Sequence, residues 1–177
     1  MGKAHFDSKW EIERYIQSEG LPFTILRPVF FMENFGWQRA GILGGTLTGL
    51  GLPSDKGLQM IAVDDVGAFA ALALAHPKDY GGKTLEMAGD ELTEPQIAAT
   101  FSEVIGRPVK LASPSPPPDT QPTAEEIAMF QFFSGEGYDA DIATLRKIYQ
   151  GLRTLEGWLR ENGWEGVSGD QTTTDRK

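Results

Sequence analysis

The sequence has no cysteine, few basic residues and no long apolar run. The absence of cysteine excludes disulfides and thiolate metal sites and favours a cytoplasmic location. Sixteen lysines and arginines stand against 25 aspartates and glutamates, and the resulting net charge of −9 repels nucleic-acid phosphates and acidic membranes. No apolar run approaches the ~20 residues of a membrane-spanning helix. Nucleic acid and membranes are therefore not expected as partners.

Several catalytic patterns are also missing. No cluster of histidine, aspartate and glutamate has metal-ligand spacing, so no metal site is predicted. No Gly-x-Ser-x-Gly or Ser/His/Asp arrangement is present. A Gly-x-Gly-x-x-Gly phosphate turn after an N-terminal strand is absent, because no strand pattern precedes the first helix.

The first part of the chain predicts a helix, a glycine stop and a buried strand. Apolar residues from Phe6 to Ile16 recur at helical spacing, and Gly20 ends the pattern. The run from Phe23 to Leu26 is short, apolar and β-branched, as in a strand covered on both faces. Pro28 is expected to end that strand.

Further elements follow the same alternation of strand and helix. Strands are predicted at 46–48, 58–63, 83–88 and 108–111. Asp64 is predicted to cap a helix over 66–76, whose nearly continuous apolar sequence indicates burial between layers. Thr93 and Gln96 form a capping box before a helix that ends at Gly106.

The last third predicts a linker and a helical lobe. The proline-rich run at 113–122 indicates an extended connector between a first unit at 1–112 and a lobe at 123–166. A second capping box starts at Thr123, and two short helices are predicted over 141–149 and 154–162. The apolar stripes of this lobe either pack on the main body or form a dimer surface. The polar tail at 167–177 is predicted to be disordered.

Four segments stand out along the chain: HFDSK at 5–9, LPFTILRPVFFMEN at 21–34, AVDDVG at 62–67 and TLEMAGDELT at 84–93. Together they resemble the NmrA-like branch of the atypical short-chain dehydrogenases/reductases, in the NAD(P)-binding Rossmann superfamily. The likeness runs from about residue 5 to about residue 111, in the family's order. It implies that this sequence corresponds to the carboxyl-terminal portion of such a protein, either a piece of a longer chain or a shortened relative.

The resemblance also implies roles for individual residues. Lys9 takes the place of the family's lysine, which hydrogen-bonds the ribose hydroxyls of the nicotinamide nucleotide. His5 stands where the catalytic tyrosine would be, and it either transfers a proton or is a helix-start residue without a catalytic role. The backbone of Pro28, Val29 and Phe30 would line the nicotinamide pocket. Asn34 either contacts the ligand or caps a turn.

The expected fold is therefore α/β: the second half of a doubly wound, mainly parallel Rossmann-like sheet, followed by a helical carboxyl-terminal lobe. The expected cofactor is NADP or NAD, bound incompletely without the amino-terminal half. Three functions stay open: an NAD(P)H-dependent oxidoreductase for a small organic substrate, a non-catalytic NADP-sensing regulator with a protein partner, and a truncated product without independent activity. An open sheet edge further predicts self-association.

Overall fold

The computed structural model describes residues 4–114 and 121–167, with residues 4–7 as backbone only. Short strands alternate with helices along this part of the chain. The strands are β1 (Thr24–Pro28), β2 (Phe30–Phe31), β3 (Thr46–Thr48), β4 (Gly57–Ile61), β5 (Lys83–Met87), β6 (Asp90–Thr93) and β7 (Lys110–Ala112). The helices are α1 (Ala4–Ser18), a 3₁₀ helix (Met32–Gln38), α2 (Arg39–Leu43), α3 (Val63–Ala75), α4 (Pro77–Tyr80), α5 (Glu94–Ile105), α6 (Ala124–Ser134), α7 (Ile142–Ile148) and α8 (Leu155–Glu161).

Local signals account for most of these boundaries. Gly20 follows α1 with a φ of 65°, a conformation that glycine adopts without steric cost. Both predicted capping boxes are present, at the starts of α5 and α6. Gly106 ends α5 in the left-handed conformation, with a φ of 79°.

The strands pair mainly in parallel. β1 lies beside β5, β2 beside β4 and β3 beside β7, all three pairs parallel. Thr24 is opposite Lys83 and Pro28 is opposite Met87, so β1 and β5 end at the same edge. β6 was not predicted; it pairs antiparallel with β4. The predicted α/β architecture with mainly parallel strands is confirmed.

The largest apolar cluster joins the strands to the carboxyl-terminal helices. Phe101 of α5 is fully buried and packs edge-to-face against Phe35 and Trp164, with ring centroids 5.1 and 5.2 Å apart. Leu155 and Leu159 of α8 belong to the same cluster. Because aromatic pairs of this kind add about 0.5–1.5 kcal/mol beyond burial, they help to hold the last helix against α5.

Buried polar groups attach the carboxyl-terminal helices to the sheet. The side-chain amide of Gln59 in β4 both donates to the carbonyl of Ala140 (3.1 Å) and accepts from its backbone N–H (2.9 Å). The backbone N–H of Leu155 donates to the carboxylate of Asp90 at 2.8 Å. Each bond satisfies a polar group that folding removes from water, and a missing partner would cost about 1–3 kcal/mol.

Two predictions about α3 are wrong. The helix begins at Val63 after Ala62, which is extended and makes no side-chain cap, so Asp64 is an exposed residue of the first turn rather than the N-cap. The helix is also not enclosed between layers, because its apolar residues pack on one side only and Leu74 is 83% exposed. The buried positions of α3 recur every four residues and are Asp65, Phe69 and Ala73.

Parts of two further predictions fall outside the described residues. These are residues 115–120 of the proline-rich connector and residues 168–177 of the tail. The boundaries of the two units remain predictions. Within the described residues, α6 and α8 share a hydrophobic cluster with α5, and α7 packs in a second cluster with α3 and β5, so the predicted lobe packs on the main body.

Candidate functional site

The contact between α1 and β1 is built around one arginine. Arg27, next to the end of β1, donates from Nε to Oε1 of Glu13 at 2.9 Å and from Nη2 to Oε2 at 2.5 Å. A weaker bond reaches Glu86 of β5 at 3.4 Å. The Trp10 ring centroid lies 5.9 Å from the guanidinium carbon. The hydrogen bond to Glu13 raises the pKa of the Arg27 guanidinium, so this group stays charged.

This arrangement places Lys9 near the carboxyl edge of the sheet. Because only a short turn joins α1 to β1, the two elements run in opposite directions. Lys9 lies nine residues before Ser18, about 13 Å along the helix, and Pro28 lies four residues after Thr24, about 13 Å along the strand. Lys9 is therefore level with the end of β1.

Lys9 also shares a helix face with Glu13, the residue that pairs with Arg27. It precedes Glu13 by four residues, a spacing that places both side chains on one face. Glu13 and Ile16 are half-buried against the body, whereas Lys9 is exposed. Lys9 makes no hydrogen bond or ion pair with any other described residue, so its ammonium group is free to bind a ligand. His5 precedes Lys9 by four residues in the same helix.

The segment after β1 crosses from one strand pair to the next. Pro28 is the last residue of β1, and the backbone N–H of Val29 donates to the carbonyl of Met87 at 3.3 Å. Phe30 then pairs with Met60 of β4. Pro28, Val29 and Phe30 thus follow one another directly at the edge where β1 and β5 end. Parallel α/β sheets bind ligands at such an edge.

Asn34 lies in the 3₁₀ helix and is half-buried. The preceding residue has the more extensive contacts: Oε1 of Glu33 accepts from the N–H of Val63 at 3.0 Å and from Nε1 of Trp158 at 3.1 Å. Its Oε2 is buried without a partner among the described residues. Glu33 therefore joins the 3₁₀ helix to α3 and α8, a role that sequence reasoning missed.

A second missed contact lies at the start of α3. Asp65 is fully buried; its Oδ1 pairs with Nη1 of Arg153 at 2.5 Å, and its Oδ2 accepts from the Arg153 backbone N–H at 2.9 Å. Nε of Arg153 also donates to Glu161 at 2.7 Å. The hydrogen bond to Glu161 and the charge of Asp65 both raise the pKa of Arg153. This pair connects the carboxyl-terminal lobe to the sheet edge.

A small cavity opens beside β2 and β3. It offers about 30 Å³ to a water-sized molecule, room for one or two waters, and is lined mostly by apolar side chains. Glu94, the first residue of α5, contributes a buried carboxylate to the wall. This glutamate lies inside the capping box of Thr93 and Gln96, whose pattern does not indicate its burial.

Two kinds of feature are absent from the described residues, a metal-binding cluster and a membrane-spanning helix. No group of three or more histidine, aspartate or glutamate side chains there could hold a metal ion. None of the described helices is both long and apolar enough to cross a membrane.

Comparison with known proteins identifies the family. The sequence model of the NmrA-like family matches residues 1–159. The chain belongs to the NmrA-like family. The resemblance of residues 5–111 is thereby confirmed, and the family match extends into the carboxyl-terminal helices.

Known relatives of this NmrA-like chain include a protein from Dictyostelium discoideum, prestalk A differentiation protein A. It is 30% identical over 110 residues, which are 60% of this chain and 35% of that protein. The chain thus spans only about a third of the curated relative that it matches.

Solved structures confirm a Rossmann-like fold for this NmrA-like chain. An NADPH-dependent quinone oxidoreductase from Escherichia coli matches with a TM-score of 0.70 and 24% identity, covering 88% of this chain and 60% of its own. NmrA, a negative transcriptional regulator solved in complex with NADP, matches with a TM-score of 0.62 and 19% identity, covering 86% and 56%. The chain corresponds to little more than half of each of these structures.

Proposed function

We propose that this NmrA-like chain forms the carboxyl-terminal half of a nicotinamide-nucleotide site and acts, once that site is complete, as an NAD(P)H-dependent oxidoreductase for a small organic substrate. The observation that carries the proposal is the position of Lys9. No described residue pairs with its ammonium group, and helix and strand lengths put residue 9 level with the end of β1, at the edge where parallel strands of this fold class bind ligands.

Each residue at this edge has a proposed role. Lys9 donates to the ribose hydroxyls, since an ammonium carries three donors and can bridge two oxygens. Backbone groups of Pro28, Val29 and Phe30 line the nicotinamide, and Asn34 contacts the ligand from the following helix. When bound, the nicotinamide supplies or accepts the hydride. His5 exchanges the accompanying proton, because an imidazole titrates near neutral pH.

A second candidate function is NADP sensing without catalysis. Position 5 holds histidine where the resembled dehydrogenases hold the catalytic tyrosine. Tyr15 does not replace that tyrosine, because it lies six residues after Lys9, about 120° around the helix, and is 64% exposed. A sensor would bind nucleotide at the same edge and use it to control binding to a regulatory protein.

Nucleotide titration tests the proposal and separates the candidates. We expect weak or no binding of NADP⁺, NADPH and NAD⁺ to this chain alone, because the sequence has no glycine-rich phosphate turn. A version extended by the upstream coding sequence should bind by calorimetry. Turnover of NADPH with a panel of quinones and carbonyls supports the oxidoreductase. Binding without turnover supports the sensor. An extended version that binds none of the three nucleotides contradicts both.

The exposed edge of β1 supports a further proposal, self-association. Among the described residues β1 pairs only with β5, and all five of its residues are half-buried. Trp10, Ile12 and Leu21 nearby are more than half exposed. An unpaired strand edge beside apolar side chains is a ready surface for a second copy.

Size-exclusion chromatography with light scattering tests this association. We expect dimers or larger species that dissociate on dilution, and Ile25→Lys, at the second residue of β1, should shift them to monomer. Ile127→Lys, at an exposed apolar position on α6, is the control and should leave the mass unchanged. A chain that stays monomeric at every concentration would contradict the proposal.

A further inference from the structure

The 3₁₀ helix that follows β2 has three faces with different surroundings. Because a 3₁₀ helix has three residues per turn, every third side chain lies on the same face. Met32 and Phe35 share the first face and are buried. Glu33, on the second face, accepts hydrogen bonds from α3 and α8. The third face carries Asn34, which is half-buried, and Trp37, which is exposed.

Trp37 is the most exposed large apolar side chain among the described residues, at 88%. By contrast, Trp158 and Trp164 are 6% and 2% exposed. Single apolar residues on a surface are common, so the position of Trp37 in the fold decides what its ring can do. That position is the segment directly after the carboxyl end of β2, at the edge where parallel strands of this fold class bind ligands.

The backbone beneath Trp37 is held from both sides. Phe35, two residues earlier, packs against Phe30 with ring centroids 5.6 Å apart. Gln38, the next residue, is fixed to β3 by two hydrogen bonds between its side-chain amide and the backbone of Thr48, at 2.9 and 3.0 Å. The exposed ring is therefore carried on a rigid support, and a ligand that stacks on it has little further freedom to restrict.

We propose that Trp37 is the stacking surface for the ring of the substrate and selects flat, unsaturated ring compounds of the quinone class. In the proposed function, on which this role rests, Asn34 contacts the nicotinamide nucleotide. Trp37 lies on the same face one turn later, about 6 Å along the helix axis. That separation is within the roughly 4.5–7 Å between the centroids of stacked rings, so a ring on Trp37 would lie next to the nicotinamide.

The chemistry of the indole ring supports this choice of substrate. The face of an indole is electron-rich and favours offset stacking on a flat, electron-poor ring. A saturated ring offers no such face and would gain only the burial of its apolar surface. In the reaction the quinone accepts a hydride from NADPH and one proton, which gives the hydroquinone and NADP⁺.

Binding of a quinone to the extended protein tests the role of Trp37 without turnover. The titration is done with excess NADP⁺, which has no hydride to transfer. The probes are tetramethyl-1,4-benzoquinone and the saturated diketone 1,4-cyclohexanedione. NMR follows the indole N–H signals, and the signal of Trp37 is the one that Trp37→Phe removes.

The quinone is expected to shift the indole signal of Trp37. Trp37→Ala should weaken quinone binding about tenfold or more, whereas Trp37→Phe, which keeps an aromatic ring, should retain most of the affinity. The diketone should bind more weakly, and neither substitution should change its affinity. Because the ring is exposed, both variants should melt like the unmodified protein.

Leu74→Ala is the control for the loss of an exposed apolar side chain. Leu74 is 83% exposed and lies at the far end of α3, about 16 Å along the helix from Val63, so its loss should leave the quinone affinity unchanged. No binding of the quinone, or equal quinone affinities of the unmodified protein and Trp37→Ala, would overturn the role of Trp37. An equal loss of affinity for the diketone would also overturn it.

Turnover of NADPH separates this proposal from the proposed function. Quinone binding that depends on Trp37, without any oxidation of NADPH, would contradict the oxidoreductase and leave the stacking role intact. Quinone reduction that Trp37→Ala leaves unchanged would contradict the stacking role and leave the oxidoreductase intact.

Discussion

Asp65→Asn is expected to lower the free energy of unfolding by about 1–3 kcal/mol, the cost of leaving a buried hydrogen-bonding group without its partner. The substitution keeps the size of the side chain but removes its charge. It leaves Arg153, which is partly buried at 24% exposure, with the exposed Glu161 as its remaining counter-ion. Asparagine keeps one acceptor oxygen, so its NH₂ group faces either the guanidinium or the backbone N–H, each of which donated to the aspartate. Urea denaturation followed by circular dichroism measures the change.

The neighbouring aspartate provides a matched control for this prediction. Asp64 lies in the same helical turn but is exposed, so Asp64→Asn should change stability by no more than about 0.5 kcal/mol. Combining Asp65→Asn with Arg153→Met should cost less than the sum of the single changes, because each removes the same interaction. If both asparagine variants unfold at the same urea concentration, the ion pair does not hold the lobe.

Elements with local signals could be predicted from the sequence. The capping boxes at Thr93 and Thr123 satisfy the first N–H groups of their helices through residues three positions away. Gly20 and Gly106 supply the left-handed conformation that ends a helix. All of these signals act within a few residues, so tertiary contacts are not needed to recognise them.

Contacts between distant residues could not be predicted in the same way. Asp65 and Arg153 are 88 residues apart in the sequence, and a buried ion pair leaves no periodic pattern. From the sequence, Asp64 is predicted to be a helix cap, because helix starts favour acidic residues. In the structure Asp65 is buried and Asp64 is exposed. This difference depends on contacts that Asp65 makes with the carboxyl-terminal lobe. Glu94 was missed for the same reason, since its backbone partners lie more than 40 residues earlier.

The candidate nucleotide site came from the resemblance rather than from periodicity. On pattern alone, Lys9 would be a solvated lysine on an amphipathic helix, and it is indeed exposed. The structure adds the hydrogen-bonded ion pair between Glu13 and Arg27, which fixes α1 relative to β1. Because this ion pair holds α1 against β1, the position of Lys9 near the edge of the sheet follows from the lengths of the helix and the strand.

Lys9→Met is expected to weaken NADP⁺ binding about ten- to hundredfold in the extended protein. The substitution keeps the unbranched stem of the side chain but removes the charged donors, and a hydrogen bond from a charged group is worth about 1.5–3 kcal/mol. Arg14→Met is the control. Arg14 is an exposed cation of the same helix that lies about 140° around the axis from Lys9, and its loss should leave the affinity unchanged.

The most direct test compares two ligands with the Lys9→Met variant by calorimetry. NADP⁺ contains the nicotinamide ribose, whereas 2′,5′-ADP does not. If Lys9 binds that ribose, its side chain should contribute to the affinity for NADP⁺ but not to the affinity for 2′,5′-ADP. The variant should therefore lose at least tenfold in affinity for NADP⁺ and retain its affinity for 2′,5′-ADP. Equal losses for both ligands, or no loss for NADP⁺, would contradict the placement of Lys9 at the nucleotide.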